Sequence, residues 1–116
     1  DFVATLMGDD TIYFDTERFN IDSVDAAALT RQAQWLQRYP AKRITIEGHA
    51  DERGTREYNL ALGERRANAA KNYLITLGVN AARITTVSYG KERPVALGSN
   101  ESAWAQNRRA VTVTID

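Results

Sequence analysis

Two acids in a turn, Asp51 and Glu52, stand ahead of Asn59, Leu62 and Arg66. The last three are separated by three and four positions, so on a helix they share one face. An arginine in the first half of that helix sits toward the positive end of the helix dipole, where an anion such as a carboxylate is favoured. An acid that can hold an ammonium, beside an arginine that can fork onto a carboxylate, makes a receptor for a zwitterionic amino-acid group. The Asn59 amide adds a directional hydrogen bond. Residue types alone leave a second reading open, because the same pattern also serves a solvated face or an internal salt bridge. Glu64 and Arg65 fit that second use.

Other chemistries find less support. His49 is the only histidine, whereas a zinc site takes three or four His, Cys or carboxylate ligands, so no metal is expected and His49 reads as a hydrogen-bonded structural residue. With no cysteine there is neither a disulfide framework nor thiolate chemistry. Lys plus Arg and Asp plus Glu are equal at 15 each, so no global charge recruits nucleic acid or an anionic membrane. A phosphate binder built from Arg65, Arg66, Arg108 and Arg109 lacks a glycine-rich phosphate loop. A hydrolase would draw a carboxylate pair from Glu47, Asp51 and Glu52, set about 5 to 9.5 Å apart. Asp51 and Glu52 are sequence neighbours, and no nucleophile is evident. None of these chemistries displaces the two readings of the acid and arginine pattern, recognition site or solvated face, and neither reading calls for catalysis or a cofactor.

The elements that must position these residues follow from periodicity. At 116 residues and 43% hydrophobic content the chain suits one domain with one core. Residues 1–10 read as a lead-in and 11–116 as the domain. Residues 11–14 form a short strand. Residues 23–39 form a helix with Leu29, Ala33 and Leu36 on its buried stripe, capped by Asp22 or Ser23 and ended by Pro40. The alternating residues 43–47 make a second strand, stopped by Gly48. A long helix runs from about Glu57 to Leu77, with Ala67, Ala70, Leu74 and Leu77 inward and Gly78 just past its end. A third strand covers residues 83–90, a short helix 100–107, and a last strand 110–115 with Val111, Val113 and Ile115 on one face. Trp35, Tyr39, Tyr73 and Trp104 are expected in the core. Because the second and last strands alternate, the sheet is covered on one face only. The expected fold is α/β, a two-layer sandwich of βαβαβαβ type with helices packed on one face of a small mixed sheet.

Three segments, IYFDTERFNI, IEGHADERGTREYNLALGERRANAAKNYL and ITTVSYGKERPVALGSNESAWAQNRRAV, carry a resemblance over residues 11–115. G-H-x-D, then N-x-x-L-x-x-x-R-A, S-Y-G and a closing N-R-R resemble the peptidoglycan-binding domains of the OmpA family. GHADERGT and VSYGKE point to its peptidoglycan-associated lipoprotein branch. That resemblance implies a non-covalent receptor for the meso-diaminopimelate of the peptidoglycan stem peptide. Asp51 would hold its ammonium and Arg66 its carboxylate, with Asn59 and Leu62 lining the pocket. Asp15, Thr16 and Glu17 would form the facing wall, and Arg53 a polar rim contact. The first segment departs from the branch's F-D-F-D, having Thr16 for an aromatic and Glu17 for a shorter acid. The resemblance also implies a periplasmic domain on the inner side of the outer membrane, anchored there through a lipidated cysteine absent from this sequence. Its implied partners are the β-propeller TolB and other Tol proteins.

Overall fold

The computed structural model describes residues 2–115. Its helices are α1 (Phe2–Leu6), α2 (Ser23–Arg38), α3 (Arg56–Thr76) and α4 (Glu101–Asn107), with a 3-10 turn at Ala81–Arg83. The strands are β1 (Thr11–Tyr13), β2 (Arg43–His49), β3 (Ile84–Gly90) and β4 (Arg109–Ile115). They form one mixed sheet in the order β1-β4-β2-β3. β2 and β3 are parallel, and α3 is the crossover that such a pair requires. β4 lies antiparallel between β1 and β2. Helices α2 and α3 pack on one face of the sheet, giving the expected two layers.

The helix ends follow local chemistry. The Asp22 carboxylate accepts the Asp25 N–H at 2.8 Å and starts α2, and Thr55 Oγ1 accepts the Tyr58 N–H at 3.1 Å and starts α3. At the far end of α3, Gly78 has φ of 101°, its N–H bonds Ile75 O, and the Val79 N–H reaches back to Leu74 O. This paired closure needs a left-handed residue, and glycine takes that conformation without strain.

The core gathers Leu29, Ala33 and Leu36 of α2, Ala67, Ala70 and Leu74 of α3, and Ile44 and Ile46 of β2. Residues 2–6, read from sequence as lead-in, form α1 and contribute Phe2 and Leu6 to this core, with Phe2 edge-on to Trp35 at 5.0 Å. Trp35 is buried and Tyr73 packs at the margin, but Tyr39 is 45% exposed, resting against Trp35 beyond the end of α2.

β4 corrects the simplest use of the alternation rule. Val111, Val113 and Ile115 do share a face, but it is the outer one, opposite Glu47, Thr45 and Arg43 of β2. The buried face carries Ala110 and Thr112, beside Ile12 and Ile46. Alternation separates two faces of a strand without saying which one the helices cover. Here large side chains from β1, β2 and α2 fill the layer, and small residues suffice on β4.

One crossing sets the spacing of α3 on the sheet. A Cβ at Gly48 would lie 1.6 Å from the Gly63 carbonyl oxygen, and one at Gly63 would lie 2.3 Å from Ser88 Oγ. Both positions must be glycine for β2 and α3 to touch backbone to backbone.

Candidate functional site

Three segments converge beyond the C-terminal end of β2: the chain leaving β1, the turn at residues 50–55, and the first half of α3. Between them lies a cleft of about 450 Å³ lined by Thr16, Glu17, Asp51, Arg53, Tyr58, Asn59, Leu62 and Arg66, with Gly54 and Thr55 at its edge. Seven of the eight residues expected from sequence line this one space. The eighth, Asp15, is exposed and enters through its backbone, its carbonyl accepting an Arg66 N–H at 3.0 Å.

Arg66 is fully buried. Its Nε donates to Arg18 O at 2.9 Å, Nη1 to His49 O at 2.9 Å and Nη2 to Asp15 O, so one side chain ties the β1 exit, the end of β2 and α3 together. Two of its five N–H groups, one on each terminal nitrogen, lie outside these bonds. Burial, reinforced by the nearby Arg108 charge, lowers its pKa to about 10, so it remains a cation at neutral pH. The helix dipole contributes little to this. Arg66 stands midway along α3, and the dipole's influence fades beyond the first turn. The anion-attracting feature is buried positive charge itself.

Asp51 is also buried, although it stands in a turn rich in charge. Its Oδ1 accepts the Arg53 backbone N–H at 3.0 Å and Nε at 3.1 Å, while Oδ2 accepts Nη2 at 2.7 Å. Arg108 Nη1 lies 3.6 Å from the same Oδ2. Burial alone would raise the pKa of this carboxyl, but the Arg53 hydrogen bonds and charge, with Arg108 behind them, outweigh it and hold the group below its ordinary value. Arg53 thus already fills the cation position on Asp51. It is steadied by Thr16 Oγ1 at 3.1 Å and by the Trp104 ring, 4.1 Å from its guanidinium carbon.

Sequence reasoning placed α4 but missed what Trp104 on it and Arg108 just after it do at the site. Trp104 is not core: its indole N–H donates to Glu52 at 2.7 Å, which turns Glu52 away from the cleft and supports the turn from outside. Arg108 Nε donates to Phe14 O at 2.8 Å and Nη2 to Glu101 at 2.9 Å. Nothing in the local pattern joins residue 108 to residue 51. Tyr58 was missed as well, although its place four residues before Leu62 on the same helical face is a signal that could have found it.

The wall opposite α3 holds a backbone feature. Glu17 has φ of 59°, a left-handed conformation that costs a non-glycine residue roughly 1 to 2 kcal/mol. His49 is buried, 3.3 Å from Glu47 and stacked near Tyr89, and burial together with Arg109 lowers its pKa to about 4. Among the described residues no group of three or more His, Cys, Asp or Glu side chains is gathered to hold a metal. Of the four arginines considered for phosphate, only Arg65 is exposed. Arg66, Arg108 and Arg109 are buried and bonded largely to backbone carbonyls, so they form no phosphate-facing patch.

A two-layer domain of this strand order, with an ion-lined cleft where β2 gives way to α3, defines a family: residues 13–108 match the OmpA family, and the chain belongs to it. It is 62% identical over 104 residues to the peptidoglycan-associated lipoprotein of Rhizobium meliloti, across 90% of this chain and 59% of that protein. The chain therefore spans about three fifths of that relative's length. The crystal structure of the peptidoglycan-associated lipoprotein from Burkholderia pseudomallei is similar with a TM-score of 0.88 and 48% identity, covering 90% of this chain and 89% of that one. The cell wall anchor of the T6SS from Pseudomonas aeruginosa is similar with a TM-score of 0.75 and 27% identity, covering 91% and 80%.

Proposed function

We propose that the domain binds peptidoglycan non-covalently by clamping the zwitterionic end of meso-diaminopimelate in the stem peptide. The observation that carries this is the pair of buried opposite charges, Asp51 and Arg66, facing one cleft from two elements. The ligand ammonium goes to Asp51. Since Arg53 occupies that carboxylate, the ammonium takes over part of its bonding, and Arg53 moves toward the rim over Trp104. The ligand carboxylate meets the two remaining N–H groups of Arg66, with the Arg108 charge behind. Asn59 and Leu62 line the floor, while Thr16 and Glu17 form the facing wall. Asp15 acts by fixing Arg66 through its carbonyl.

A receptor role, not an enzymatic one, is supported by the cleft's electrostatics. Asp51 is held deprotonated, the opposite of the raised carboxyl that a general acid in glycoside cleavage needs. Relatives named peptidoglycan-associated lipoproteins support the peptidoglycan and lipid parts of this reading, which we extend to the whole protein. It tethers the outer membrane to the wall from the periplasmic side, lipid-anchored, as part of a Tol-Pal system with TolB as a partner. Among the described residues no helix is long and apolar enough to cross a membrane.

The test is calorimetric titration of two stem tripeptides that differ only in carrying meso-diaminopimelate or lysine at the third position. Lysine keeps the ammonium and lacks the carboxylate. A charge-assisted hydrogen bond is worth about 1.5 to 3 kcal/mol, so the diaminopimelate peptide should bind roughly ten- to a hundredfold tighter. Equal affinities would remove Arg66 from the site.

A further inference from the structure

Beyond the cleft, α3 carries a second recess that the clamp does not use. Tyr58, Leu62, Arg65, Ala69 and Asn72 succeed one another at spacings of four, three, four and three, a single stripe along the helix. Tyr58 and Leu62 belong to the cleft. Arg65, Ala69 and Asn72, joined by Asn68 and by Phe19, Asn20 and Ile21 of the facing loop, enclose a groove of about 410 Å³. The loop that walls the cleft at Thr16 and Glu17 thus continues as the wall of the groove.

Phe19 is 45% exposed instead of packed inward. The Arg65 guanidinium carbon lies 5.9 Å from its ring. Among the described residues, no hydrogen bond within the chain engages the side-chain amides of Asn68 or Asn72. An open aromatic face beside planar amides and a guanidinium suits a pyranose. The sugar lays its C–H face on the ring and exchanges hydrogen bonds with the amides through its hydroxyl and acetamido groups.

Resting on the reading of the cleft as a stem-peptide clamp, we infer that this groove is a subsite for the N-acetylated sugar bearing that stem. The spacing agrees. The centres of the two helix segments are seven residues apart, about 10 Å along α3 at 1.5 Å per residue. A third-position residue lies two residues from the sugar, about 7 Å of extended chain, and the ether-linked lactyl group supplies the remainder. By this estimate one ligand is long enough to reach both recesses, and the domain reads glycan and peptide together.

The experiment titrates the diaminopimelate tripeptide, with and without an N-acetylmuramyl group at its N-terminus, into the parent, Phe19→Ala and the double variant Asn68→Ala/Asn72→Ala. The muramyl ligand should bind the parent at least fivefold tighter than the bare tripeptide. Both variants should reduce it to the tripeptide's level while leaving tripeptide affinity unchanged, with melting curves as the folding control. In the bound parent, a nuclear Overhauser contact should join the acetamido methyl group to the Phe19 ring. Equal affinity of the two ligands for the parent, absence of that contact, or variants that weaken both ligands alike would overturn the subsite while leaving the clamp. Failure of both ligands to bind the parent would overturn the clamp, and the subsite with it.

Discussion

Replacing Arg66 by lysine keeps a positive charge and removes a planar fork, and the consequences divide between folding and binding. The guanidinium holds three backbone carbonyls at 2.9 to 3.0 Å, from three separate parts of the chain. A lysine ammonium is a point donor on a stem that can satisfy one of them well. At about 1.5 kcal/mol or more for each of the two charged bonds lost, Arg66→Lys should cost about 3 kcal/mol. For a domain of this size about 1 kcal/mol corresponds to about 4 °C, so melting should fall by about 12 °C. Circular dichroism melts measure this. Peptide titrations at a temperature where both proteins are folded should show at least a tenfold loss of affinity. The loss should grow between pH 6 and 8, because the burial and Arg108 charge that lower the arginine's pKa to about 10 would bring a lysine toward neutrality. Arg65→Ala, on the neighbouring exposed position, should melt within about 1 °C of the parent and bind the sugar-free tripeptide unchanged. An Arg66→Lys protein melting within about 2 °C of the parent would refute the argument, since the carbonyls would then have adequate partners elsewhere.

Asp51→Asn should weaken tripeptide binding about tenfold or more, and should also lower stability at neutral pH, because Arg53 and Arg108 lose their counter-charge. As the folded pKa is depressed, this contribution is present above the ordinary value of 3.8 and fades as pH falls through the folded value, so the two proteins' melting temperatures should converge in acid. Asp25 behaves oppositely: burial raises its pKa to about 6, leaving Oδ2 without a hydrogen-bond partner, so its ionisation costs stability as pH rises from 3.8 through 6. Asp25→Asn should raise the melting temperature by several degrees at pH 7.5 and give no gain below pH 3.8, as melts across that range would show. Glu17→Gly relieves the left-handed strain, of which about 0.5 to 1 kcal/mol is offset by glycine's greater freedom when unfolded, and should raise melting by about 2 to 4 °C, whereas Glu17→Val should lower it.

What was legible in the sequence was whatever is encoded locally. The phase of Asn59, Leu62 and Arg66 follows from 3.6 residues per turn, and the caps at Asp22 and Gly78 from short-range hydrogen bonding. The motifs held the acid and the arginine at a spacing that the β2 to α3 connection converts into a cleft. What stayed hidden is set by distant contacts. Arg108 meets Asp51 only because β4 inserts beside β2, Trp104 leaves the core only because Glu52 offers an acceptor across the fold, and α1 is too short for periodicity to reveal. The burial of Asp51 follows from the same tertiary closure, since a charged turn gives no local sign of being covered.

The glycine crossing has a consequence for how this domain can vary. Asp51 lies three residues beyond Gly48, and Arg66 three residues beyond Gly63, so both jaws are indexed from the point where the two backbones touch. No side chain serves as a spacer there, and no rotamer change can alter the gap. Substitutions elsewhere in the hydrophobic layer can therefore accumulate without detuning the distance between the charges. New specificities can be sought by changing the walls, Thr16, Glu17 and Tyr58, around a calibration mark that the main chain itself provides.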